Sequence, residues 1–186
     1  PVRQSNKEFK ILFIGSVTDR KKPHLIIEAI NKIKSKDIKL YVVGPTPNDN
    51  YLSQLQALVQ GYDLEDQVIF TGSVNRESVM EHYSETNLMI LPSVSEGLAR
   101  VIFESQVTAC PVLVTDAPGM GDIVIDGQTG YIFESNNLES LTNKIQEIKN
   151  NYEDAIHVGN NAKDFILSNY SADNFKFSFK KLFDTV

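Results

Sequence analysis

Short apolar-rich runs alternate with amphipathic segments along the first 150 residues of the chain. The apolar runs predict β-strands at residues 9–14, 38–43, 68–71, 88–91, 112–115 and 131–133. The segments between them repeat hydrophobic residues three and four positions apart, which predicts helices at residues 24–34, 51–60, 79–83, 98–109 and 138–149. Strands that alternate with helices indicate an α/β domain built on a parallel sheet.

The pattern changes after residue 150, where two further helices are predicted at residues 154–169 and 171–183. The second carries large apolar residues at helical spacing: Phe175, Phe179, Leu182 and Phe183. Such a stripe packs on the sheet of its own domain or, if it is exposed, favours a weak dimer through the tail. We therefore divide the chain into a frayed N-terminus at residues 1–8, a domain at 9–150 and C-terminal helices at 151–186.

Glycine and polar residues collect where the predicted strands end. They occupy residues 15–22, 44–45, 72–73, 93–97 and 119–122. In a parallel sheet these segments all lie at the edge where the strands end, here called the carboxyl edge, and ligands of such sheets bind there. The clustering predicts a ligand-binding site formed by these loops.

The segment at residues 93–104 is the most informative of these loops. Pro92 ends a strand, Glu96 lies on the loop beside Gly97, and Glu104 lies on the helix that follows, leaning toward its N-terminus. Carboxylates accept hydrogen bonds from sugar hydroxyls and helix amides bind phosphate, so the pattern favours a nucleotide-sugar. The alternative is that Glu104 forms an ordinary i,i+4 ion pair with Arg100 and that Glu96 only complements the helix dipole.

Composition narrows the class of protein further. The net charge is −6 and no Lys/Arg tract is visible, which argues against a nucleic-acid partner. The single cysteine, Cys110, precedes a strand and is interpreted as a buried small hydrophobe, so no disulfide within the chain is expected and a reducing compartment is favoured. No apolar run approaches transmembrane length, no signal peptide is seen, and a chain that begins with Pro1 is interpreted as a fragment.

The order of these segments resembles a known family. Residues 93–104, with Glu96 and Glu104 separated by seven residues, resemble the E-x7-E motif of the retaining glycosyltransferases of group 1, the GT4 type. The segments Cys-Pro-Val-Leu-Val-Thr at 110–115, Gly-Met-Gly-Asp-Ile-Val at 119–124 and Asp-Gly-Gln-Thr-Gly-Tyr-Ile at 126–132 resemble those that follow the motif in the family. The resemblance extends from about residue 9 to about residue 183.

The resemblance implies one half of a GT-B fold: a Rossmann-like, doubly wound parallel sheet of about six strands in an α/β/α sandwich. The chain would be the C-terminal, donor-binding domain, and a missing N-terminal domain would bind the acceptor. By the same resemblance, the C-terminal helices at 151–186 pack back on their own domain or cross toward that N-terminal domain. The whole enzyme would transfer a sugar from a nucleotide-sugar with retention, without a metal or other cofactor. It would act in the cytoplasm, with peripheral association at the inner face of the membrane as a further expectation.

In the family a Gly-Arg pair, and a Lys five residues after that Arg, hold the donor diphosphate. This chain matches the motif at Gly15 and Lys21, but Ser16 stands at the Arg position. A hydroxyl does not replace a guanidinium fork. Either the affinity for the diphosphate is lower, or Arg20 or Arg100 compensates.

Other residues are assigned by the same resemblance. Glu96 is the catalytic candidate, as a contact to a hydroxyl of the donor sugar, and Glu104 would bind the ribose. The donor-binding candidates are Ser16, Lys21, Gly44, Ser73, Val74, Gly97, Leu98, Ala99, Arg100 and Glu104. Ala99 and Asp122 stand where the family often has Gly and Glu, which bears on sugar specificity.

Three alternatives stay open. Gly119-x-Gly121-x-x-Val124 resembles a dinucleotide fingerprint, but it lacks the third glycine and comes late in the domain. A GT-B nucleotide-sugar epimerase, or a non-catalytic module that binds sugar nucleotides, would share many of the motifs. No metal site is expected, because the three histidines, His24, His82 and His157, do not have the spacing of ligands.

Overall fold

The computed structural model describes residues 8–96, 100–120 and 123–170. The strands are β1 (Phe9–Ile14), β2 (Ile38–Val43), β3 (Val68–Gly72), β4 (Leu88–Leu91), β5 (Val112–Thr115) and β6 (Tyr131–Phe133). The helices are α1 (Pro23–Ile33), α2 (Asp49–Gly61), α3 (Arg76–Glu85), α4 (Arg100–Val107), α5 (Leu138–Asn150) and α6 (Tyr152–Asn169). A short 3₁₀ turn at Asp19–Lys21 precedes α1, inside what the sequence predicts as a loop.

The strands form one six-stranded sheet in the order β3-β2-β1-β4-β5-β6, and every neighbouring pair is parallel. The predicted α/β, Rossmann-like, doubly wound sheet of about six strands is therefore confirmed. The chain builds outward from β1 to β3 and then returns to the other side of β1 to place β4. The strand order reverses between β1 and β4, and this is where ligands of open α/β sheets bind.

Helices cover both faces of the sheet. One core cluster lies between the sheet and α1, α2 and α5, and its fully buried members include Ile26, Ile30, Leu55, Leu141 and Ile145. The other lies against α3, α4 and α6, and includes Tyr83, Ile102, Met120 and Ile166. Because β4 and β5 are buried on both faces, β4 is apolar throughout and β5 is apolar up to its last residue, Thr115.

Helix α6 passes from one face of the sheet to the other. Its first residue, Tyr152, packs edge-to-face on Phe9 at the start of β1, with the ring centroids 5.6 Å apart. Near its middle, a Cβ on Gly159 would lie 2.5 Å from the carbonyl oxygen of Ala109. Its last turns reach the second cluster through Phe165 and Ile166. The helix predicted at residues 154–169 is confirmed, whereas the one at 171–183 and its aromatic stripe lie outside the described residues.

Three helices begin at an asparagine that caps the first turn. Asn48, Asn75 and Asn137 each accept a hydrogen bond from the backbone amide three residues later. The Asn48 cap starts α2 two residues before the first position that the hydrophobic pattern predicts. At its other end, Gly61 is the last helical residue and Tyr62 is the cap. In the part of the chain that the structure describes, no helix is both long and apolar enough to span a bilayer.

Candidate functional site

The ends of β1 and β2 lie against each other at the carboxyl edge. The Gly15 amide donates to the Val43 carbonyl at 2.9 Å, and the Gly44 amide donates to the Gly72 carbonyl at 2.9 Å. Gly15 and Gly44 have φ of +138° and +137°, which favours glycine over any residue with a side chain. A Cβ on Gly44 would lie only 2.1 Å from the Gly15 carbonyl oxygen. The two glycines thus put no side chain of their own between the strand ends, which lets the two backbones approach each other closely.

Lys21 covers the first of these glycines. Its Nζ would be 3.1 Å from a Cβ placed on Gly15, so the ammonium lies directly over the glycine backbone. The Lys21 side chain is only 13% exposed, and its Nζ lies 3.3 Å from Glu96 Oε1. The 3₁₀ turn at Asp19–Lys21 and the left-handed Lys22, with φ of 49°, turn the chain from this position into α1. The loop after β1 therefore brings its lysine to the loop after β4.

Glu96 is the most buried charged group at this edge that we describe. Its side chain is 9% exposed, and Arg20 Nη1 lies 3.6 Å from Oε1 in addition to Lys21. Neither contact has hydrogen-bond geometry, so Oε1 is buried without a hydrogen-bond partner among the described residues. Because buried polar atoms are nearly always hydrogen-bonded, a buried carboxylate oxygen without such a bond is suited to accept one from a hydroxyl of a ligand.

The loop that carries Glu96 is held from the β5 side. Thr115 Oγ1 donates to the Ser93 carbonyl at 2.7 Å, and Ser93 Oγ donates to the Ser95 carbonyl at 3.0 Å. The Glu96 amide donates to the Pro118 carbonyl at 3.4 Å. Both Thr115 and Ser93 are fully buried. Glu96 therefore stands on a loop whose backbone is anchored on the next strand.

Glu104 lies on α4 and has two different partners. Tyr83 of α3 donates its hydroxyl to Glu104 Oε2 at 3.2 Å, and Arg100 Nη2 lies 3.7 Å from Oε1. The ion pair that the sequence left as an alternative for Glu104 therefore forms, with Arg100 77% exposed. Burial, and next the negative charge of Glu104, raise the pKa of Tyr83 far above its usual range. Glu104 keeps a side chain 39% exposed, so it remains accessible to a ligand.

The structure describes the exposure of some of the remaining candidates, and others lie outside the described residues. Ser73 is exposed after Gly72, and Val74 is partly buried against the α4 side of the sheet, which leaves the loop backbone accessible. Ser16 is half-buried. Gly97, Leu98 and Ala99, together with Gly121 and Asp122 of the rival fingerprint, lie outside the described residues. The roles of all candidates toward a donor stay predictions.

Sequence reasoning missed several residues that shape this edge. Thr115 is the last residue of β5, and Ser93 lies two residues after the end of β4. A hydroxyl that follows so closely on an apolar strand requires a hydrogen-bond partner, which is a signal that could have identified them. Tyr83 is a tyrosine on the inward face of a helix, and its hydroxyl likewise needs a partner. The sequence suggests Arg20 only as a substitute phosphate ligand, but its guanidinium donates to the Ser95 carbonyl.

A second polar contact lies beside the β1 loop. His24 Nδ1 is 2.8 Å from the Tyr51 hydroxyl, which joins α1 to α2. Burial lowers the pKa of His24, and burial together with the nearby Asp19 raises the pKa of Tyr51 to about 12. Within the described ranges, no group of three or more His, Cys, Asp or Glu side chains could hold a metal ion.

An α/β domain with glycines, a buried acid and a lysine at the reversal of strand order is typical of proteins that bind phosphorylated ligands. The family model described as "Glycosyl transferases group 1" matches residues 2–165. The chain belongs to this family.

A curated relative agrees with that assignment, and solved structures share the fold. The chain is 25% identical over 169 residues to the capsular polysaccharide biosynthesis glycosyltransferase CapM of Staphylococcus aureus. This alignment covers 90% of this chain and 43% of CapM. Anabaena HepE, solved in complex with UDP-glucose, superposes with a TM-score of 0.88 at 18% identity, covering 98% of this chain and 50% of HepE. The C-terminal domain of the group 1 protein LpcC from Francisella tularensis superposes with a TM-score of 0.81 at 22% identity, covering 88% of this chain and 87% of that domain.

The chain thus spans less than half the length of CapM and half of HepE. The match to an isolated C-terminal domain, which it covers almost completely, shows the same fold in a single domain.

Proposed function

We propose that this domain binds the nucleotide-sugar donor of a retaining glycosyltransferase, and that an N-terminal domain outside this chain binds the acceptor. The observation that carries the proposal is the buried Glu96 carboxylate, whose Oε1 has no hydrogen-bond partner among the described residues and lies 3.3 Å from Lys21 Nζ. Family membership and the activities for which the relatives are named support the same interpretation. HepE was solved with UDP-glucose, so this ligand is the first donor to test.

In this proposal the donor contacts the loops after β1, β3 and β4 and the helix α4. Lys21, which lies over the backbone of Gly15, would offset part of the diphosphate charge. Glu96 would accept a hydrogen bond from a hydroxyl of the sugar. Glu104 would accept a hydrogen bond from a ribose hydroxyl, and the accessible backbone around Ser73 would contact the base. Positive charge fixed beside the departing diphosphate stabilises the charge that develops as the sugar leaves. That no metal is needed for this, and that configuration is retained, are parts of the proposal.

The direct test is calorimetry of the 186-residue chain against UDP-, GDP- and ADP-sugars and the corresponding diphosphates, with EDTA present. We expect weak binding to one nucleobase class that survives EDTA. Glu96→Gln should weaken binding of the sugar nucleotide more than that of the diphosphate. Glu147→Gln is the matched control, because it removes the same charge from an exposed ion pair on α5. Strict dependence on a divalent metal would contradict the proposal, as would an equal effect of both variants.

Ser16 in place of the family's arginine favours one competing function. A weakened diphosphate clamp would suit a module that binds sugar nucleotides without transferring the sugar. We propose that the isolated chain transfers nothing, because transfer needs donor and acceptor held together. A full-length protein that binds donor but transfers no sugar would identify the module. Conversion of the donor into a second nucleotide-sugar, followed by NMR, would identify an epimerase.

We place the whole enzyme in the cytoplasm, in peripheral contact with the inner face of the membrane, as the family resemblance implies. For the isolated chain we expect a weak dimer through the apolar stripe of residues 171–183. Sedimentation of the 186-residue chain and of a chain ending at residue 170 tests this. A monomer in both cases would exclude the dimer.

A further inference from the structure

Arg20 joins the two loops that form the candidate site. Its Nη1 donates a hydrogen bond to the Ser95 carbonyl and lies 3.6 Å from Glu96 Oε1. Its own carbonyl accepts a hydrogen bond from the Val94 amide at 3.3 Å. One residue of the β1 loop therefore contacts the β4 loop through its backbone, its guanidinium and its charge. The hydrogen bond to Ser95 spans 75 residues of sequence.

The two basic residues beside Glu96 differ in position. Lys21 is 13% exposed and lies over Gly15, whereas Arg20 is 50% exposed. The Arg20 guanidinium is already directed at the Ser95 carbonyl and the Glu96 carboxylate. It is thus engaged with the loop of Glu96, which disfavours the role of a substitute phosphate ligand for the missing arginine at position 16.

Charge balance explains what this engagement can do. A carboxylate that is 9% exposed needs a cation beside it, because an unpaired buried charge is costly. If Lys21 binds a diphosphate, its ammonium interacts with the phosphate oxygens as well, and its ion pair with Glu96 becomes weaker. Arg20 is then the described cation that still neutralises Glu96 and holds its loop in place.

We propose that Arg20 is a positioning residue, which sets Glu96 for the donor sugar and keeps its charge balanced while Lys21 engages the diphosphate. The inference rests on the proposed function, since it takes a sugar hydroxyl as the partner of Glu96. It assigns to Arg20, acting through Glu96, the affinity that the sugar adds, and to Lys21 the affinity for the diphosphate.

The test measures two dissociation constants for each variant by calorimetry. The panel is UDP, GDP and ADP with UDP-glucose, GDP-mannose and ADP-glucose, and the base that wild type binds is carried forward. The quantity compared is the dissociation constant of the nucleoside diphosphate divided by that of the corresponding nucleotide-sugar. Arg20→Gln should lower this ratio about three- to tenfold and leave the constant for the diphosphate within about twofold of wild type. Arg20→Lys, which keeps the charge, should recover part of the ratio.

Lys149→Gln is the matched control. It removes one positive charge and one ion pair, with Asp37 at 2.9 Å, from a helix end distant from the carboxyl edge. Its ratio should equal that of wild type. Thermal unfolding of all variants shows whether each is folded, and Arg20→Lys keeps the test open should Arg20→Gln unfold.

The outcomes separate the inference from the function on which it rests. If wild type binds no member of the panel, the proposed function fails and the inference fails with it. If wild type binds but Arg20→Gln weakens diphosphate and sugar ester equally, only the inference is overturned, because a loop that is merely loosened would affect both. An unchanged ratio in Arg20→Gln overturns it as well.

Discussion

Replacing Gly44 with alanine probes the contact between the ends of β1 and β2 that exposes the candidate site. The new Cβ would lie 2.1 Å from the Gly15 carbonyl oxygen and 2.7 Å from its carbonyl carbon. Both are backbone atoms, which cannot rotate away as the end of a flexible side chain can. Gly44 also has φ of +137°, a conformation that alanine rarely adopts. The two strand ends must therefore separate to accept the methyl group.

The cost follows from these two terms. A side chain forced into a sparsely populated backbone conformation costs about 1–3 kcal/mol, and overpacking against rigid neighbours costs about 1–3 kcal/mol more. We expect a loss of about 3–5 kcal/mol from a free energy of unfolding that is on the order of 5–15 kcal/mol for a domain. At roughly 2–4 °C per kcal/mol for a domain of this size, the Tm should fall by roughly 6–20 °C.

Two other glycines provide matched controls. Gly127 has φ of +70°, and a methyl group added there would meet nothing within 4 Å, so Gly127→Ala should cost only about 1 kcal/mol of backbone strain. Gly61, at the end of α2, has neither a positive φ nor a neighbour within 4 Å, and Gly61→Ala should be neutral or stabilise by up to about 1 kcal/mol. Urea and thermal unfolding of the three variants give the ranking. A loss in Gly44→Ala no larger than in Gly127→Ala would refute the reasoning.

Three further changes address the site and its surroundings. Glu104→Ala should weaken nucleotide binding in calorimetry and cost only about 1 kcal/mol of stability, since one hydrogen bond from Tyr83 is lost; an unfolded domain or unchanged binding would contradict this. Ser16→Arg should tighten diphosphate binding about tenfold by adding a charge-assisted contact, whereas Ser53→Arg, on the exposed face of α2, should not; equal effects would point to net charge alone. Because burial lowers the pKa of His24 below 6.5, the free energy of unfolding should fall as pH drops through 6.5 toward that lowered value. Urea unfolding at pH 7.5 and 5.5 measures this fall, which should be smaller in His24→Gln. An equal fall in wild type and variant would exclude His24 as its source.

The strands could be predicted closely from sequence because the central strands are almost fully buried and therefore form short apolar runs. Five of the six have the bounds that the apolar runs predict, and β4, with the sequence Leu-Met-Ile-Leu, is fully buried. The exception is β3, which extends one residue further. Gly72 pairs with Val43 after a register irregularity between Val42 and Val43. A glycine at the end of an apolar run indicates a turn, so the pattern could not show this last pair.

The site was predicted less completely, for a physical reason. The topology of a parallel sheet brings the loops after β1 and β4 to one edge, so the proximity of Lys21 and Glu96 follows from sequence. Which side chain meets which partner depends on contacts between distant positions, such as Arg20 with the Ser95 carbonyl and Tyr83 with Glu104. Local spacing carries no information about such pairs. It did predict the contact of Arg100 with Glu104, which are four residues apart.

The charges described at this edge suggest why the serine at position 16 matters. Lys21 and Arg20 both face Glu96, and Arg100 faces Glu104, so each of these cations already has a carboxylate partner. In the proposed complex a diphosphate would compete with Glu96 for Lys21. It would recover part of that cost when the freed carboxylate oxygen accepts a hydrogen bond from a sugar hydroxyl. Diphosphate and sugar would then be bound in a coupled manner, with the sugar stabilising the exchange of ion-pair partners. An arginine at position 16 would supply phosphate charge without this exchange, and its absence would make binding of the diphosphate depend more strongly on the sugar attached to it.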